Sequence, residues 1–171
     1  LDTYFGYRGS FAEGLGYDVG FVRYNYLGDY TAAAPLVKAD TAEVYAAISY
    51  KFLTAKYSHS VMNGFLTVPD SKGTNYIELN ASYTIPDTTY TVSAHVGKQT
   101  YKGDPADAFA AAGFDPSYTD YKIGVAKDFS GYVVGLAYTD TDAKDGGFYT
   151  WPNNGGNWGR GMTSVSLTHS F

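Results

Sequence analysis

Residues 75–85 read NYIELNASYTI: Ile77, Leu79, Ala81, Tyr83 and Ile85 alternate with Glu78, Asn80, Ser82 and Thr84. A period of two held over about ten residues constrains a chain more than its composition does, because only an extended strand puts i and i+2 on one side. The pattern recurs. In AEVYAAISYKF (42–52), Val44, Ala46, Ile48, Tyr50 and Phe52 oppose Glu43, Ala47, Ser49 and Lys51. In TYTVSAHVGKQ (89–99), Tyr90, Val92, Ala94 and Val96 oppose Thr91, Ser93, His95 and Gln99. In SVSLTHSF (164–171), Val165, Leu167, His169 and Phe171 alternate with Ser164, Ser166, Thr168 and Ser170. Helical spacing is confined to DPADAFAAAGF (104–114), enough for one short helix.

About nine strands are expected, near 2–11, 16–27, 42–52, 55–63, 75–85, 89–101, 119–129, 132–142 and 162–171. Most are longer than the five or six residues usual in soluble sheets, and close to the roughly 9–11 that a tilted membrane-spanning strand requires. Their connections alternate in length. AEGLG (12–16), a tight turn at Leu53-Thr54, PDTT (86–89) and SG (130–131) are short; 28–41, 64–74, 102–118 and 143–161 are long. That is an up-and-down meander with its long loops at one end, the layout of outer-membrane barrels.

A soluble sandwich also alternates, but with its apolar face inward and a charged face in water. Here the wet face is rich in Ser, Thr, Gly, Ala and Asn, and charged residues make up 17% of the chain. Small polar residues suit a narrow lumen, and 18 tyrosines suit lipid–water boundaries. The expected fold class is therefore all-β: an antiparallel up-and-down transmembrane β-barrel, with residues 1–171 as a single domain. The longest apolar stretches, such as YVVGLAY, fall far short of the roughly 18 residues of a spanning helix. The start, LDTYFGYRGS, has neither a basic nor an apolar signal region, which reads as a mature chain or a fragment. A net charge of −5 and pI near 5.0 argue against a nucleic-acid partner. With no cysteine there is neither a disulfide framework nor a thiolate metal site, and no phosphate or dinucleotide fingerprint implies a cofactor.

By parity, Asp2, Arg8, Glu43, Lys51, Lys56, Glu78, His95, Lys122 and Asp128 face the lumen as pore-lining candidates, and Arg23 joins them if a bulge turns it inward. Paired signs in a pore set ion selectivity; the same residues paired tightly would plug a narrow barrel. Lys51 and Lys56 are expected toward the short-turn end, Glu43 and Glu78 toward the long-loop mouth. An enzyme reading has little to stand on. In YSHSVMNG (57–64), His59 and Ser60 point to opposite faces of a strand, beyond the reach a nucleophile and base need. Asp140, Asp142 and Asp145 in DTDAKDGG resemble a calcium loop in spacing only and read as a solvated loop. Trp151, Trp158 and Arg160 in YTWPNNGGNWGRG read as headgroup-level anchors before a sugar or partner site.

The chain resembles the TorF family of Gram-negative outer-membrane porins. The stretches that carry the resemblance are YDVGFVRYNYLG (17–28), TAEVYAAISYKFLTAKYSHS (41–60), NYIELNASYTIP (75–86), AHVGKQTY (94–101), DYKIGVAKDFSGYVVGLAYTDTD (120–142) and the last strand. Val165, Leu167, His169 and Phe171 resemble the C-terminal signal read by the barrel-assembly machinery, with His169 where Tyr is usual. The resemblance implies a full barrel of about twelve strands, some three of them preceding residue 1. It also implies residence in the outer membrane beside lipid and lipopolysaccharide, and passive passage of small solutes or ions. A structural barrel with a plugged lumen and binding loops is the alternative, and a barrel lipase a more distant one.

Overall fold

The computed structural model describes residues 1–28, 36–150 and 156–170. Nine strands form one antiparallel sheet in simple sequence order: β1 Asp2–Ala12, β2 Leu15–Tyr24, β3 Thr41–Tyr50, β4 Leu53–Ser60, β7 Asn75–Thr84, β8 Tyr90–Thr100, β9 Tyr118–Phe129, β10 Tyr132–Thr141 and β11 Met162–His169. A small hairpin, β5 Gly64–Phe65 and β6 Val68–Pro69, lies in the connection from β4 to β7. One helix, α1 Asp104–Ala111, lies between β8 and β9. The sheet is open: β1 and β11 each pair on one side only.

The meander and its two loop classes are as the sequence implied, with local differences. The turn between β3 and β4 is Lys51-Phe52, not Leu53-Thr54, and Lys51 has a φ of 53°. Lys51 is thus a turn residue, at the end of the sheet and not within a strand, with its ammonium 5.2 Å from the Tyr50 ring centre. The fourth strand stops at Ser60, because residues 61–74 fold into the β5–β6 hairpin. β2 pairs regularly with both neighbours, and the only irregularity of the β1–β2 ladder lies between Ser10 and Ala12. Arg23 therefore shares the parity of Phe21 and Val19, away from the polar face, and bonds Asn25 Oδ1 at 2.8 Å.

The exposure of the two faces is inverted relative to a soluble sheet. Along β8, Thr91, Ser93 and His95 are half-buried, while Tyr90, Val92, Ala94 and Val96 between them are exposed. β3 and β10 alternate in the same sense. Ile77 is 56% exposed, Ile123 65%, Leu136 50% and Val165 75%. Along these strands the small polar side chains are better shielded than the large apolar ones. Val92, Val125, Leu136 and Val165, all exposed, are successive cross-strand partners in one row of the apolar face, and a contiguous exposed apolar patch marks an interaction surface.

The compact core lies in the loops. Phe65, Val68, Tyr101 and Ala106 are buried together, with Phe109 and Phe148 packed on them. Pro in the first turn of α1, with Asp104 and Asp107, suits a helix N-terminus. Gly103 ahead of it has a φ of 95°, and a Cβ there would overlap the Asp70 carbonyl oxygen, so only glycine lets α1 dock against this loop.

Candidate functional site

Strand register sets the site. One row of cross-strand partners on the polar face runs Arg8, Asp18, Ala47, Lys56, Glu78, Gly97, Asp120 and Thr141. Charges alternate in sign from Arg8 through Asp18 and Lys56 to Glu78, and Asp120 then adds a second acid. Lys56 Nζ lies 3.9 Å from Glu78 Oε1 and 4.7 Å from the Tyr45 ring centre. Glu78 and Lys56 are level in the sheet, so the expected axial separation of acidic and basic groups does not hold for this pair. The reason is that β4 begins at Leu53 and ends at Ser60, which puts Lys56 mid-strand.

Beside this row lies a hydrogen-bonded cluster. His95 Nδ1 is 2.7 Å from Asn80 Oδ1, and His95 Nε2 is 2.8 Å from Asp120 Oδ1. Tyr76 donates its hydroxyl to Asp120 Oδ2 at 2.8 Å and lies 3.0 Å from His95 Nε2. Asn80 Nδ2 donates to Glu78 Oε2 at 2.8 Å. Each polar group here already has a protein partner, as a partly enclosed network requires. Gly97 makes it possible: the Tyr76 ring fills the space a side chain there would take. The same device recurs where Tyr45 lies over Gly20 and donates to Asp18 Oδ1 at 3.1 Å.

The other predicted pore-lining residues scatter. Glu43 is half-buried near the long-loop end, in a cavity of about 370 Å³ whose lining includes Lys56, Glu78, Phe65 and Leu66. The β5–β6 hairpin thus folds over the polar face. Arg8 lines a second cavity, of about 600 Å³, with Asp18, Tyr45 and Lys56. Asp2 is exposed at the start of β1, paired with Tyr24. Asp128 accepts the Gly131 N–H at 2.7 Å and so fastens the 130–131 turn rather than lining the middle of the face. Lys122 stands between His95 and Thr139 in the register and lines a third cavity, of about 480 Å³, with Trp158 and Arg160. Trp158 borders this polar-face cavity, not the apolar surface expected of a headgroup anchor. The segment is tied there by Thr141 Oγ1, which donates to the Gly159 carbonyl at 2.7 Å.

Val165, Leu167 and His169 lie on the apolar parity of β11, and the His169 ring stacks on Tyr132 with centres 4.2 Å apart. Phe171 and Trp151 lie outside the described residues. His59 stacks on Tyr57 on the apolar side, and its Nδ1 lies 3.2 Å from the Tyr57 hydroxyl. Ser60, of opposite parity, is fully buried beneath the loop. In the loops, burial pushes the Tyr101 and Tyr149 phenols well above the usual tyrosine range, and Tyr149 donates to the Pro116 carbonyl at 2.6 Å. Among the described residues, no group of three or more His, Asp or Glu is placed to hold a metal ion.

Asp120, Asp18 and Tyr76 are the functional-face residues that the sequence reading left out. Asp120 shares the parity of Lys122, and Tyr76 that of Glu78, so alternation alone was enough to find these two; Asp18 needed the register of β2.

Fold and site together define an all-β protein: one large antiparallel meander with one apolar face and one charged, hydroxyl-rich face. The whole chain, residues 1–171, matches a family described as a bacterial protein of unknown function (Gcw_chp), and it belongs to that family. No curated protein and no solved structure matches it.

Proposed function

We propose that this chain forms most of the wall of an outer-membrane β-barrel, and that the barrel is a passive channel for small solutes or ions. The observation that carries the reading is the inverted amphipathicity: exposed Val, Ile and Leu on the convex face, shielded Ser, Thr and paired charges within. Lipid is the solvent that makes such a surface stable. The resemblance to TorF-family porins supports the same reading. The short turns then face the periplasm and the long loops the exterior, with lipid and lipopolysaccharide around them. The alternating residues of β11 serve the assembly machinery. β1 and β11 run in the same direction, so an all-antiparallel closure takes an odd number of further strands. In this reading they come from chain outside residues 1–171. No catalytic step is assigned.

A second reading, a structural barrel with a plugged lumen, draws on the β5–β6 hairpin over the polar face and the Lys56–Glu78 pair beneath it. Conductance of the complete protein in planar bilayers separates the two. The channel reading predicts steady conductance. It also predicts that Lys56→Gln, which leaves Glu78 unbalanced, raises cation preference at 0.1 M salt. That shift should shrink at 1 M as the Debye length falls from about 10 to about 3 Å. Correctly folded wild type without conductance removes the channel and leaves the structural barrel.

A further inference from the structure

The polar face is not uniform, and one part of it is built differently from the rest. Around the cavity of about 480 Å³ at β8–β11, the carboxylates are already engaged. Asp120 spends Oδ1 on His95 and Oδ2 on Tyr76. Asp140, at the rim and on the parity of Tyr138 and Leu136, spends Oδ2 on the Tyr138 hydroxyl and Oδ1 on the Thr141 N–H. The two cations that line the same cavity, Lys122 and Arg160, have no hydrogen-bond or ion-pair partner among the described residues. The carboxylates keep their charge and spare lone pairs, but their oxygens are held by other groups, and the donors of Lys122 and Arg160 are the unspent ones of this lining. Around them lie neutral hydroxyl and amide groups, Ser93, Thr139 and Asn80, and the Trp158 indole, which is 70% exposed. An indole face offers a flat apolar surface for a ring, and hydroxyls and amides suit a polyhydroxylated body.

We propose that this cavity is a binding subsite for a small cyclic carboxylate, a sugar acid in type. Lys122 and Arg160 would hold the carboxylate by charge-assisted hydrogen bonds, and Trp158 would take the ring face. The proposal rests on the reading of the polar face as a lumen. It gives that lumen a preference the Lys56–Glu78 part lacks, where charges of both signs are paired with each other.

The test uses the complete protein folded in detergent. Replacing Trp151 and any tryptophan outside residues 1–171 by Phe leaves Trp158 as the sole indole, since residues 1–171 hold two tryptophans. Its emission is titrated with glucuronate, methyl glucoside and acetate. Glucuronate should give a saturable change, with the neutral glucoside and the ringless acetate at least about tenfold weaker. Lys122→Gln and Arg160→Gln should each weaken glucuronate by about tenfold, with unchanged far-ultraviolet circular dichroism as the check on folding. Indistinguishable responses to glucuronate and methyl glucoside, or unchanged affinity in both variants, would overturn the subsite. Binding is read without conduction. Glucuronate binding by a protein that does not conduct keeps the subsite and removes the channel; conduction without selective binding does the reverse.

Discussion

Val125→Arg should lower the stability of the lipid-embedded protein by about 2–4 kcal/mol, the cost of an arginine near the midplane on the lipid face of a barrel. Val125 lies mid-strand in β9, 40% exposed, with Leu136 and Val92 as cross-strand partners. Toward the short turns the same face meets Lys127, whose ammonium sits 4.6 Å from the Tyr90 ring centre, a placement suited to an interface. Toward the long loops it meets Asp140. Val125 is therefore near the middle of the apolar band, where arginine has the longest way to reach water. Ser82→Arg, at similar height on the polar face, is the comparison and should cost markedly less. Denaturant titration of protein folded into vesicles measures both. Equal losses at the two sites would mean that the apolar face does not meet lipid.

Gly97→Val should destabilise the sheet by about 1–3 kcal/mol through overpacking alone. Strand propensity predicts the opposite sign, since valine favours strands and glycine does not. The difference comes from Tyr76, whose ring occupies the Gly97 position while its hydroxyl is held by Asp120. Valine would force the ring out and leave Asp120 and His95 short of a partner. Tyr76→Ala in the same chain should recover part of the loss, because the two changes share one volume and must be non-additive. If Gly97→Val is neutral or stabilising on its own, the Tyr76 cluster does not hold these strands together.

Most of the meander was legible because period-two alternation and loop length act locally, and each strand carries its own record of both. The faces of β3, β7, β8 and β11 follow directly from it. What failed was non-local or unmarked. The Lys51-Phe52 turn contains neither glycine nor asparagine, unlike Glu13-Gly14 and Ser130-Gly131, so nothing in SYKFLT marked which pair would turn. That error placed Lys51 on the polar face. The level of Lys56 with Glu78 depends on how β4 and β7 slide past one another, and alternation along one strand carries no information about that slide. Reading charges while passing over tyrosines and glycines hid the Tyr76–Gly97–Asp120 arrangement. It also hid the turn of Trp158 toward the polar side, which depends on loop bonds such as Thr141 Oγ1 to the Gly159 carbonyl and the Trp158 N–H to the Tyr149 carbonyl.

The central claim is that the apolar face meets lipid and the polar face encloses water. It is tested most directly by where two probes sit in a bilayer. Residues 1–171 have no cysteine, so Ile123→Cys and Ser93→Cys each give one site for a spin label in the complete protein once any cysteine outside them is replaced by Ser. Ile123 and Ser93 lie on neighbouring strands, on the apolar and polar faces respectively. In lipid vesicles, the label at 123 should be relaxed mainly by lipid-soluble oxygen, and the label at 93 mainly by a water-soluble nickel complex. A protein that stays in the aqueous phase, or labels that both respond to nickel, would contradict the account.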